Sequence, residues 1–565
     1  MEKKKKRNNK IQSVTELLLV LALLVFLNLI FSGYFFRIDM TKEKRFSLSK
    51  ASKDLAAKIN DVMFVKVYLE GEFPAGFKKL SQATKEMLDE FRIYSKGNIQ
   101  YEFIDPFADA NAKKTNDIIQ ELGTKGLQPT NVQIKKDDEL SQKIIVPGAI
   151  FYYKGKEYPL NLLKQQFGDA PEAVINSSIE LLEYEIANVL RSATERKAKK
   201  IAFLDDHGEL GKWEVADAEA ELKKFYEVTR IPLSTFPPEA LNDFAGIVIA
   251  KPTLPFNEFD KFKLDQYIMN GGKVLWFVET QIADMDSMGK EYSFMTGSYD
   301  TKLDDMLFRY GVRINSNLIQ DAQSNAIPIL SSMKNGMPQQ KLLPWMFFPV
   351  AAPASNHPIV KNIDHVWFQF VNSIDTTLNK QVKKTVLLRS SQYSRTVSAP
   401  VKVDLNLARI NPDPSMFKSG GNYIMALLLE GSFSSVFQYR GGTLDPELKF
   451  KEHIDNNKMI VISDGDVIRN QRKKSTGEIF PLGYDRYTQQ QFGNKRFILN
   501  CIDFLCDDSG IIEVRGKEIT LRLLNRAKVK AEKLQWQLIN MIVPVFIILL
   551  FGFANNIIRK RKYTT

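Results

Sequence analysis

The chain has 565 residues, of which 44% are hydrophobic and 25% are charged. This length is too great for one hydrophobic core and this composition excludes a largely disordered protein, so two or three globular domains are expected. The formal net charge is +12, but the first ten and the last seven residues contribute five and four of these charges. The middle is nearly balanced, which argues against nucleic-acid binding and favours contact of both tails with anionic lipid headgroups.

An uncharged apolar segment follows the basic N-terminus. It runs from Leu17 to Phe36, which is about the twenty residues that a bilayer-spanning helix needs. A cleaved signal peptide also places an apolar run after lysines, but this run ends in Tyr34, Phe35 and Phe36 instead of small cleavage-site residues. The sequence predicts a basic tail over 1–13 and an uncleaved transmembrane helix over 14–36.

A second uncharged segment lies near the C-terminus, from Leu534 to Ile558. Trp536 stands near its start, where interfacial aromatic residues are common, and a basic tail begins at Arg559. Pro544 is expected to kink this helix without preventing its insertion. The sequence predicts a basic stalk over 515–533, a transmembrane helix over 536–558 and a cytoplasmic tail over 559–565.

Two spans place both termini on the same side of the membrane. The opposite orientation would carry the Lys-rich tail outward against the membrane potential, at about 2.3 kcal/mol per charge per 100 mV, whereas long domains are exported largely regardless of charge. We therefore expect a protein of the bacterial inner membrane with both termini in the cytoplasm and the central domains in the periplasm.

The two cysteines, Cys501 and Cys506, lie in a segment with helical apolar spacing. At about 100° per residue they point about 140° apart, which argues against a disulfide between them. We expect both to be core residues and not redox or metal partners.

Residues 50–192 are predicted to form a first α/β domain. Strands are expected at 62–70 and 99–104, helices at 77–93 and 118–122, a hairpin at 143–153 with 158–160, and a long helix at 177–192. This order resembles the thioredoxin-like fold, in which a cis proline often stands where Pro147 stands. The chain has no C-x-x-C motif, so the resemblance concerns the scaffold and not thiol chemistry.

A charged linker leads to a second α/β domain, predicted over 200–510. Apolar strands and helices alternate along it, with strands at 200–204, 246–250 and 273–278 and helices near 214–225 and 256–269. This alternation indicates a doubly wound parallel sheet. Three further assignments complete the domain: strands of the same sheet at 423–429 and 459–463, an insertion over about 285–420, and a final helix at 491–505.

Long segments, in one order along nearly the whole chain, resemble a known family. They are RIDMTKEKRFSLS after the first apolar segment, VYLEGEFPAGFKKL at 67–80, DHGE at 206–209, DQYIMNGGKVLWF at 265–277, DDMLFRYGVRIN at 304–315, HPIVKNID at 357–364 and the segment 493–524 that begins GNKRFILNCIDFLCDD. The chain resembles the gliding-motility-associated ABC transporter auxiliary (substrate-binding-like) proteins of the GldG type, which are found in Bacteroidetes.

The resemblance implies an accessory subunit that pairs with a multispanning permease and a separate cytoplasmic ATPase, in cells that glide or export adhesins. It also implies that the second domain is similar to class I glutamine-amidotransferase-like modules. Those enzymes have a nucleophilic Cys after a strand, and this chain has no Cys before residue 501. Amidotransferase activity is therefore not carried over.

The sequence contains no familiar enzymatic signature. The Walker A pattern is absent, so an ATPase must be a separate chain, and neither G-x-S-x-G nor H-E-x-x-H occurs. Only four histidines are present, which argues against a histidine-rich metal site. We expect no catalytic residue, no cofactor and no metal.

The best candidate for a ligand site is the segment DDHGE, because ligands of open parallel sheets bind beyond the carboxyl ends of strands. Similar polar residues follow the strands at 273–278 and 459–463. The candidate ligand-binding residues are Asp205, His207, Glu209, Glu279, Asp464 and Asp466. If their strands are neighbours, these side chains converge in one crevice that would bind a cation, a glycan or a peptide. The alternative is that they only cap helices and shape turns.

Three polar residues within or beside the apolar segments are candidates for membrane contacts. Asn28, Gln537 and Asn540 would hydrogen-bond across helices, to each other or to a permease, because polar groups in lipid seek partners. A single Asn is also tolerated in a span, so both interpretations stay open.

The leading functional hypothesis is a non-enzymatic, membrane-anchored periplasmic subunit of an ABC transporter complex, linked to gliding motility or adhesin secretion. Its substrate is not specified by the sequence. One alternative is a periplasmic amidotransferase-like hydrolase that uses Asp205, His207 and Glu209. Another is a structural strut between the inner membrane and a gliding machine.

Overall fold

The computed structural model describes residues 15, 18–26, 47–71, 73–108, 112–136, 139–164, 171–194, 199–288, 292–334, 337–410, 413–417, 420–440, 450–473, 475–507, 509–515 and 526–563. The chain divides into two compact units, Met1–Lys517 and Glu518–Thr565. Among the described residues, the first unit contains all the sheets and the second unit is helical.

Within its described residues, the first α/β part of unit one contains four helices and six strands. In chain order they are α1 (Lys50–Ala57), β1 (Met63–Val67), α2 (Ala75–Tyr94), β2 (Ile99–Phe103), α3 (Ala112–Thr124), β3 (Thr130–Lys136), β4 (Glu139–Ile145), β5 (Gly148–Tyr153), β6 (Lys156–Asn161) and α4 (Pro171–Thr194). Ser49 caps α1, since its hydroxyl accepts the Ser52 N–H at 3.1 Å.

Four of these strands form a sheet in the order β2-β1-β5-β6. Strands β1 and β2 are parallel, and β5 is antiparallel to both β1 and β6. The predicted order of strands, helices and hairpin is confirmed, but the strand predicted at 143–153 is two strands. Pro147 interrupts it because proline donates no backbone hydrogen bond, and the residues before it pair with β3 in a separate hairpin. The peptide bond before Pro147 is trans, whereas thioredoxin-like folds often have a cis proline at this position.

The core of this part lies between the sheet and helices α1, α2 and α4. A short helix far along the chain, Ile511–Val514, contributes Ile511, Ile512 and Val514 to the same core. Arg515, where the basic stalk was predicted to begin, is 2% exposed, and its guanidinium donates to the Lys361 carbonyl at 2.7 Å. Arg515 is therefore packed with the first core, because the apolar run before it anchors this segment. Of the rest of the predicted stalk, 516–525 lie outside the described residues and 526–533 are helical.

The second α/β part follows in chain order. Its elements are β7 (Lys200–Leu204), α5 (Ala216–Leu222), β8 (Glu227–Ile231), β9 (Phe244–Ala250), α6 (Glu258–Met269), β10 (Lys273–Phe277), β11 (Gln281–Ile282), β12 (Ser293–Met295), β13 (Gly297–Ser298), α7 (Asp304–Tyr310), β14 (Val312–Ile314), β15 (Asn317–Asp321), β16 (Ser324–Lys334), β17 (Met337–Ala351), β18 (Val366–Trp367), β19 (Ile374–Thr376), β20 (Val382–Arg389), β21 (Ser394–Ser398), β22 (Lys402–Asp404), β23 (Ile424–Ser434), β24 (His453–Ile462), β25 (Tyr484–Asp485), β26 (Gln490–Gln491), α8 (Asn494–Cys506) and the short helix α9 (Ile511–Val514).

Nine of these strands form one large sheet, in the order β14-β19-β23-β24-β10-β9-β7-β8 with β20 also paired to β23. The five strands from β24 to β8 are parallel to one another. Strand β23 is antiparallel to β24, and the strands beyond it are antiparallel too. The predicted all-parallel sheet is therefore wrong, and the sheet is mixed. Apolar runs show that both faces of a strand are buried, but they do not show its direction.

Helices cover both faces of the parallel half, as the predicted alternation requires. Successive strand residues point to opposite faces, so Phe203 belongs to the core cluster that includes residues of α5 and α8, while Leu204 belongs to the cluster that includes residues of α6 and α7. Cys501 and Cys506 lie buried in the first of these two cores without a disulfide. Both cysteines are therefore core residues, as predicted.

The range predicted as an insertion, about 285–420, is only partly separate from the large sheet. Strands β14, β19 and β20 of this range join that sheet. The rest forms small two- and three-stranded sheets around a further core that includes Trp345, Phe347 and Phe370.

The second unit contains helix α10 (Arg526–Tyr563), which runs without interruption through Pro544. Its segment Ala531–Arg561 is long and apolar enough to cross a membrane and is not buried in the structure. Of the predicted span 14–36, residues 15 and 18–26 are helical and exposed. The other residues of that span, and the tail 1–13, lie outside the described residues.

Candidate functional site

The carboxyl ends of four adjacent parallel strands, β24, β10, β9 and β7, meet at one edge of the large sheet. The loops after β24, β10 and β7 carry the six candidate ligand-binding residues. The structure gathers five of the six into two clusters instead of one crevice. One cluster follows β24, β10 and β9, and the other follows β7.

Lys251, directly after β9, is the centre of the first cluster. We define this lysine cluster as Lys251, Glu279, Asp464 and Asp466, all of which are buried. The Lys251 Nζ lies 3.0 Å from Glu279 Oε1 and donates to Asp466 Oδ2 at 2.8 Å. The other oxygen of Glu279, Oε2, accepts the Gly465 N–H at 3.2 Å.

The remaining oxygens of the lysine cluster also face donors. Asp464 Oδ1 accepts the Asp466 N–H at 2.7 Å, and Asp464 Oδ2 accepts the Gln369 N–H at 2.6 Å. Asp466 Oδ1 lies 3.3 Å from a guanidinium nitrogen of Arg469. Although three carboxylates converge here as they would around a metal ion, the ammonium group of Lys251 already provides the positive charge.

Burial and charge act in opposite directions on protonation in the lysine cluster. Burial opposes the charge of Lys251, but the carboxylates of Asp466 and Glu279 outweigh it and raise its pKa. Burial raises the pKa of Glu279 to about 7, although Lys251 counteracts it. Burial, then repulsion by Asp466 and Glu279, holds the pKa of Asp464 well above its usual range. The raised pKa values of Glu279 and Asp464 favour their neutral forms, so the net negative charge of the lysine cluster is reduced.

The second cluster is the DHGE loop, Asp206–Glu209, which follows β7. Gly208 has φ +72°, and a Cβ there would lie 2.1 Å from Thr253 Oγ1, so glycine is required for the close approach of the two loops. The His207 carbonyl accepts the Thr253 N–H at 3.0 Å. The loop is therefore held firmly against the segment after β9.

Each carboxylate of the DHGE loop uses one oxygen in a backbone hydrogen bond. Asp206 Oδ2 accepts the Ser234 N–H at 2.6 Å, and Glu209 Oε2 accepts the His207 N–H at 2.7 Å. The other two oxygens, Asp206 Oδ1 and Glu209 Oε1, are buried without a hydrogen-bond partner, and so is His207 Nδ1. Nδ1 lies 2.9 Å from Asp206 Oδ1 and 3.8 Å from Glu209 Oε1, and the three atoms lie within 4.8 Å of one another.

The imidazole ring of His207 is fixed on its other sides. It stacks on Phe256 with ring centroids 3.8 Å apart and planes 2° apart. Its Nε2 lies 3.2 Å from Asp260 Oδ2, which also accepts from the Asn257 side-chain amide at 2.7 Å. A carboxylate only accepts hydrogen bonds, so this contact places a proton on Nε2.

Protonation in the DHGE loop differs between its two carboxyl groups. Burial raises the pKa of Glu209, although hydrogen bonds to its own N–H and to that of His207 counteract it. Burial also acts on Asp206, but hydrogen bonds, chiefly from Ser234, outweigh it and lower its pKa.

The sequence analysis missed two residues of these clusters and one residue that contacts His207, and it included one residue that lies apart. Asp205 is 44% exposed at its side chain and forms a bidentate pair with Arg230, at 2.7 and 3.0 Å. The missed residues are Lys251, Asp206 and Asp260. Lys251 directly follows an apolar strand, so the rule that selected Glu279 would also have found it, whereas Asp260 lies on helix α6 and gives no such signal.

The membrane candidates are only partly described by the structure. Gln537 and Asn540 lie three residues apart on one side of helix α10 and are exposed. Asn28 lies outside the described residues. Their contacts with one another or with a permease stay predictions.

Known protein sequences match most of this chain. A sequence profile of the family described as "ABC-type uncharacterized transport system" matches residues 198–501, and a profile of a domain of unknown function matches residues 42–152. An uncharacterized protein of Borreliella burgdorferi is 23% identical over 566 residues, which cover 99% of each chain.

Two solved structures align weakly. The mmIFT52 N-terminal domain aligns over 54% of this chain and 97% of its own at 13% identity, with a TM-score of 0.31. The exo-beta-1,4-mannosidase Op5Man5 from Opitutaceae bacterium strain TAV5 aligns over 68% of this chain and 45% of its own at 10% identity, with a TM-score of 0.21. Similarity at this level supports no conclusion on fold or function. The profile match over residues 198–501, by contrast, covers more than half of the chain, and the chain therefore belongs to the ABC-type uncharacterized transport system family, as an auxiliary component of an ABC-type transport system.

Proposed function

We propose that this auxiliary component is a non-enzymatic subunit, anchored in the bacterial inner membrane, whose α/β parts lie in the periplasm. It pairs with a multispanning permease and a separate cytoplasmic ATPase. The family match over residues 198–501 is the observation on which this proposal chiefly rests. The resemblance to the GldG type extends the proposal to gliding motility or adhesin secretion.

Two features of the structure support the membrane anchor and the scaffold. The apolar segment Ala531–Arg561 is exposed among the described residues, so lipid or a membrane partner would cover it. In the first part, β1, β2 and β6 run in one direction and β5 runs against them, which supports a thioredoxin-like scaffold.

Co-purification tests the complex. The chain carrying an affinity tag is extracted in mild detergent from its native host, and the proteins that accompany it are identified by mass spectrometry. We expect a multispanning protein and an ATPase in constant ratio to the chain. A chain that is extracted alone, in a detergent that leaves other transporters of the same cells assembled, contradicts the proposal.

The polar residues of α10 allow a sharper version of this experiment. The double variant Gln537→Leu with Asn540→Leu removes both polar groups from one side of the helix, and we expect it to lower the yield of permease several-fold. Asn556→Leu is the control, because residue 556 lies about 160° around the helix from Asn540. Equal loss in both variants would show that these two side chains make no specific contact.

Protease accessibility tests the orientation independently. Protease added to intact spheroplasts is expected to cleave the two α/β parts and to leave the N-terminal Lys-rich tail intact. Cleavage of that tail with the α/β parts protected would reverse the orientation and remove the periplasmic role.

A further inference from the structure

We propose that the DHGE loop binds one divalent transition-metal ion through Asp206 Oδ1, His207 Nδ1 and Glu209 Oε1. These are the three atoms of the loop that are buried without a hydrogen-bond partner. The Glu209 side chain is 0% exposed and that of His207 6%, so water does not compensate for the missing partners. This inference goes beyond the proposed function and does not depend on pairing with a permease.

The lone pairs of the DHGE loop face one another. The contact between His207 Nε2 and the Asp260 carboxylate at 3.2 Å places a proton on Nε2. In the neutral imidazole, Nδ1 then presents a lone pair to Asp206 Oδ1 at 2.9 Å and to Glu209 Oε1 at 3.8 Å. Three lone pairs that face one another in a buried space repel unless a positive charge lies between them. A metal ion supplies that charge and a bond to each atom.

The spacing of the three atoms is close to that of ligands around one ion. A tetrahedral ion with bonds of about 2.1 Å to nitrogen and oxygen holds its ligand atoms about 3.4 Å apart. The two distances from Nδ1, 2.9 and 3.8 Å, lie on either side of that value. Shifts of a few tenths of an ångström in the side chains would therefore place all three atoms at bonding distance from one ion.

Surrounding groups hold the three atoms in place. The second oxygen of each carboxylate is committed to a backbone N–H, Asp206 Oδ2 to Ser234 and Glu209 Oε2 to His207. The imidazole is oriented by Asp260 on its far nitrogen and by stacking on Phe256. A carboxylate on the far nitrogen of a histidine is the usual support of a metal ligand, since it fixes the ring and increases the basicity of the ligating nitrogen.

The donor set indicates the class of ion. One imidazole nitrogen with two carboxylate oxygens suits Zn²⁺ or Mn²⁺ better than Ca²⁺, which prefers six to eight oxygen ligands. Three protein ligands leave a fourth position open. The Asp206 side chain, 16% exposed, provides the side from which the ion and a further ligand would enter.

Zinc binding to the full chain tests the proposal. The protein, purified in mild detergent with an affinity tag that contains no histidine, is stripped with EDTA and then titrated with Zn²⁺. We expect one zinc ion per chain by calorimetry and by elemental analysis. X-ray absorption should show one nitrogen and otherwise oxygen ligands at about 2.0–2.2 Å.

Two variants and a matched control make the assignment specific. Glu209→Gln keeps an amide oxygen that can accept the His207 N–H and removes only the charge, and His207→Gln removes the nitrogen ligand. We expect each to lower the affinity for Zn²⁺ at least tenfold, whereas Asp205→Asn, next to the loop but paired with Arg230, keeps wild-type affinity. If His207→Gln does not fold, Glu209→Gln decides alone. Absence of stoichiometric zinc in the wild type, or equal affinity in Glu209→Gln and the wild type, overturns the proposal.

Discussion

The lysine cluster and the DHGE loop lie at the same edge of one sheet and are built from the same kinds of residues, yet they differ in what balances their carboxylates. In the lysine cluster, Lys251 contacts two carboxylates and the other oxygens face N–H groups or Arg469. In the DHGE loop, three atoms face one another, and no lysine or arginine among the described residues forms an ion pair with them. The first cluster is complete in itself and the second requires a cation from outside, so convergence of acidic residues alone does not identify a binding site.

Removing the internal cation should affect stability most. Lys251→Met keeps much of the side-chain volume but leaves buried carboxylates without their charge partner, and breaking a buried pair in this way costs about 3–5 kcal/mol. We expect a loss of that size in the free energy of unfolding, measured by urea denaturation of the full chain in detergent.

A lysine outside the cluster serves as the control for that experiment. Lys383→Met removes a side chain that is 73% exposed and lies 3.5 Å from Glu430, and we expect a change within about 0.5 kcal/mol. If Lys251→Met is as mild as Lys383→Met, the carboxylates of the lysine cluster do not depend on Lys251 for their charge balance.

The sequence predicted most of the elements because apolar periodicity reports burial directly. The buried strands β7, β9 and β10 lie close to their predicted positions, and helix α8 is found at Asn494–Cys506 against a predicted 491–505. Strand direction could not be predicted for β23, since a strand covered on both faces is apolar whether it is parallel or antiparallel. Its partner in the sheet is set by tertiary packing and not by its own residues.

The sequence predicted site residues only where polar side chains follow the end of a strand. Glu279, Asp464 and Asp466 do meet, as the rule for open sheets suggests. Lys251 and Asp260 were missed for a physical reason: whether a charge is neutralised inside the protein depends on side chains from other elements. The residues of one segment therefore do not distinguish a cluster that contains its own cation from one that would bind a cation.

The pH dependence of stability should also distinguish the two clusters. Burial raises the pKa of Glu279 to about 7, so its contribution to stability is complete below the unfolded value of about 4.5 and is lost as the pH rises through about 7. Relative to Glu279→Gln, the wild type should lose up to about 3 kcal/mol between pH 5 and pH 8. Urea denaturation of both proteins across this range measures the difference, and parallel curves would show that Glu279 is ionised throughout.

The smallest expected effect concerns Asp260, a positioning residue that acts on the proposed metal site only through His207. Asp260→Asn keeps an oxygen that can accept from Nε2 but lowers its charge, so Nδ1 becomes a weaker ligand and the affinity for Zn²⁺ should fall about tenfold, or about 1.4 kcal/mol. Asp305→Asn is the matched control, because Asp305 pairs with Lys261 of the same helix α6 at 2.8 Å and does not contact His207. X-ray absorption of the zinc-loaded Asp260→Asn protein should still show the nitrogen ligand, since the ring stays stacked on Phe256. An unchanged affinity in Asp260→Asn would mean that the carboxylate behind the imidazole only fills space and does not support a metal ligand at Nδ1.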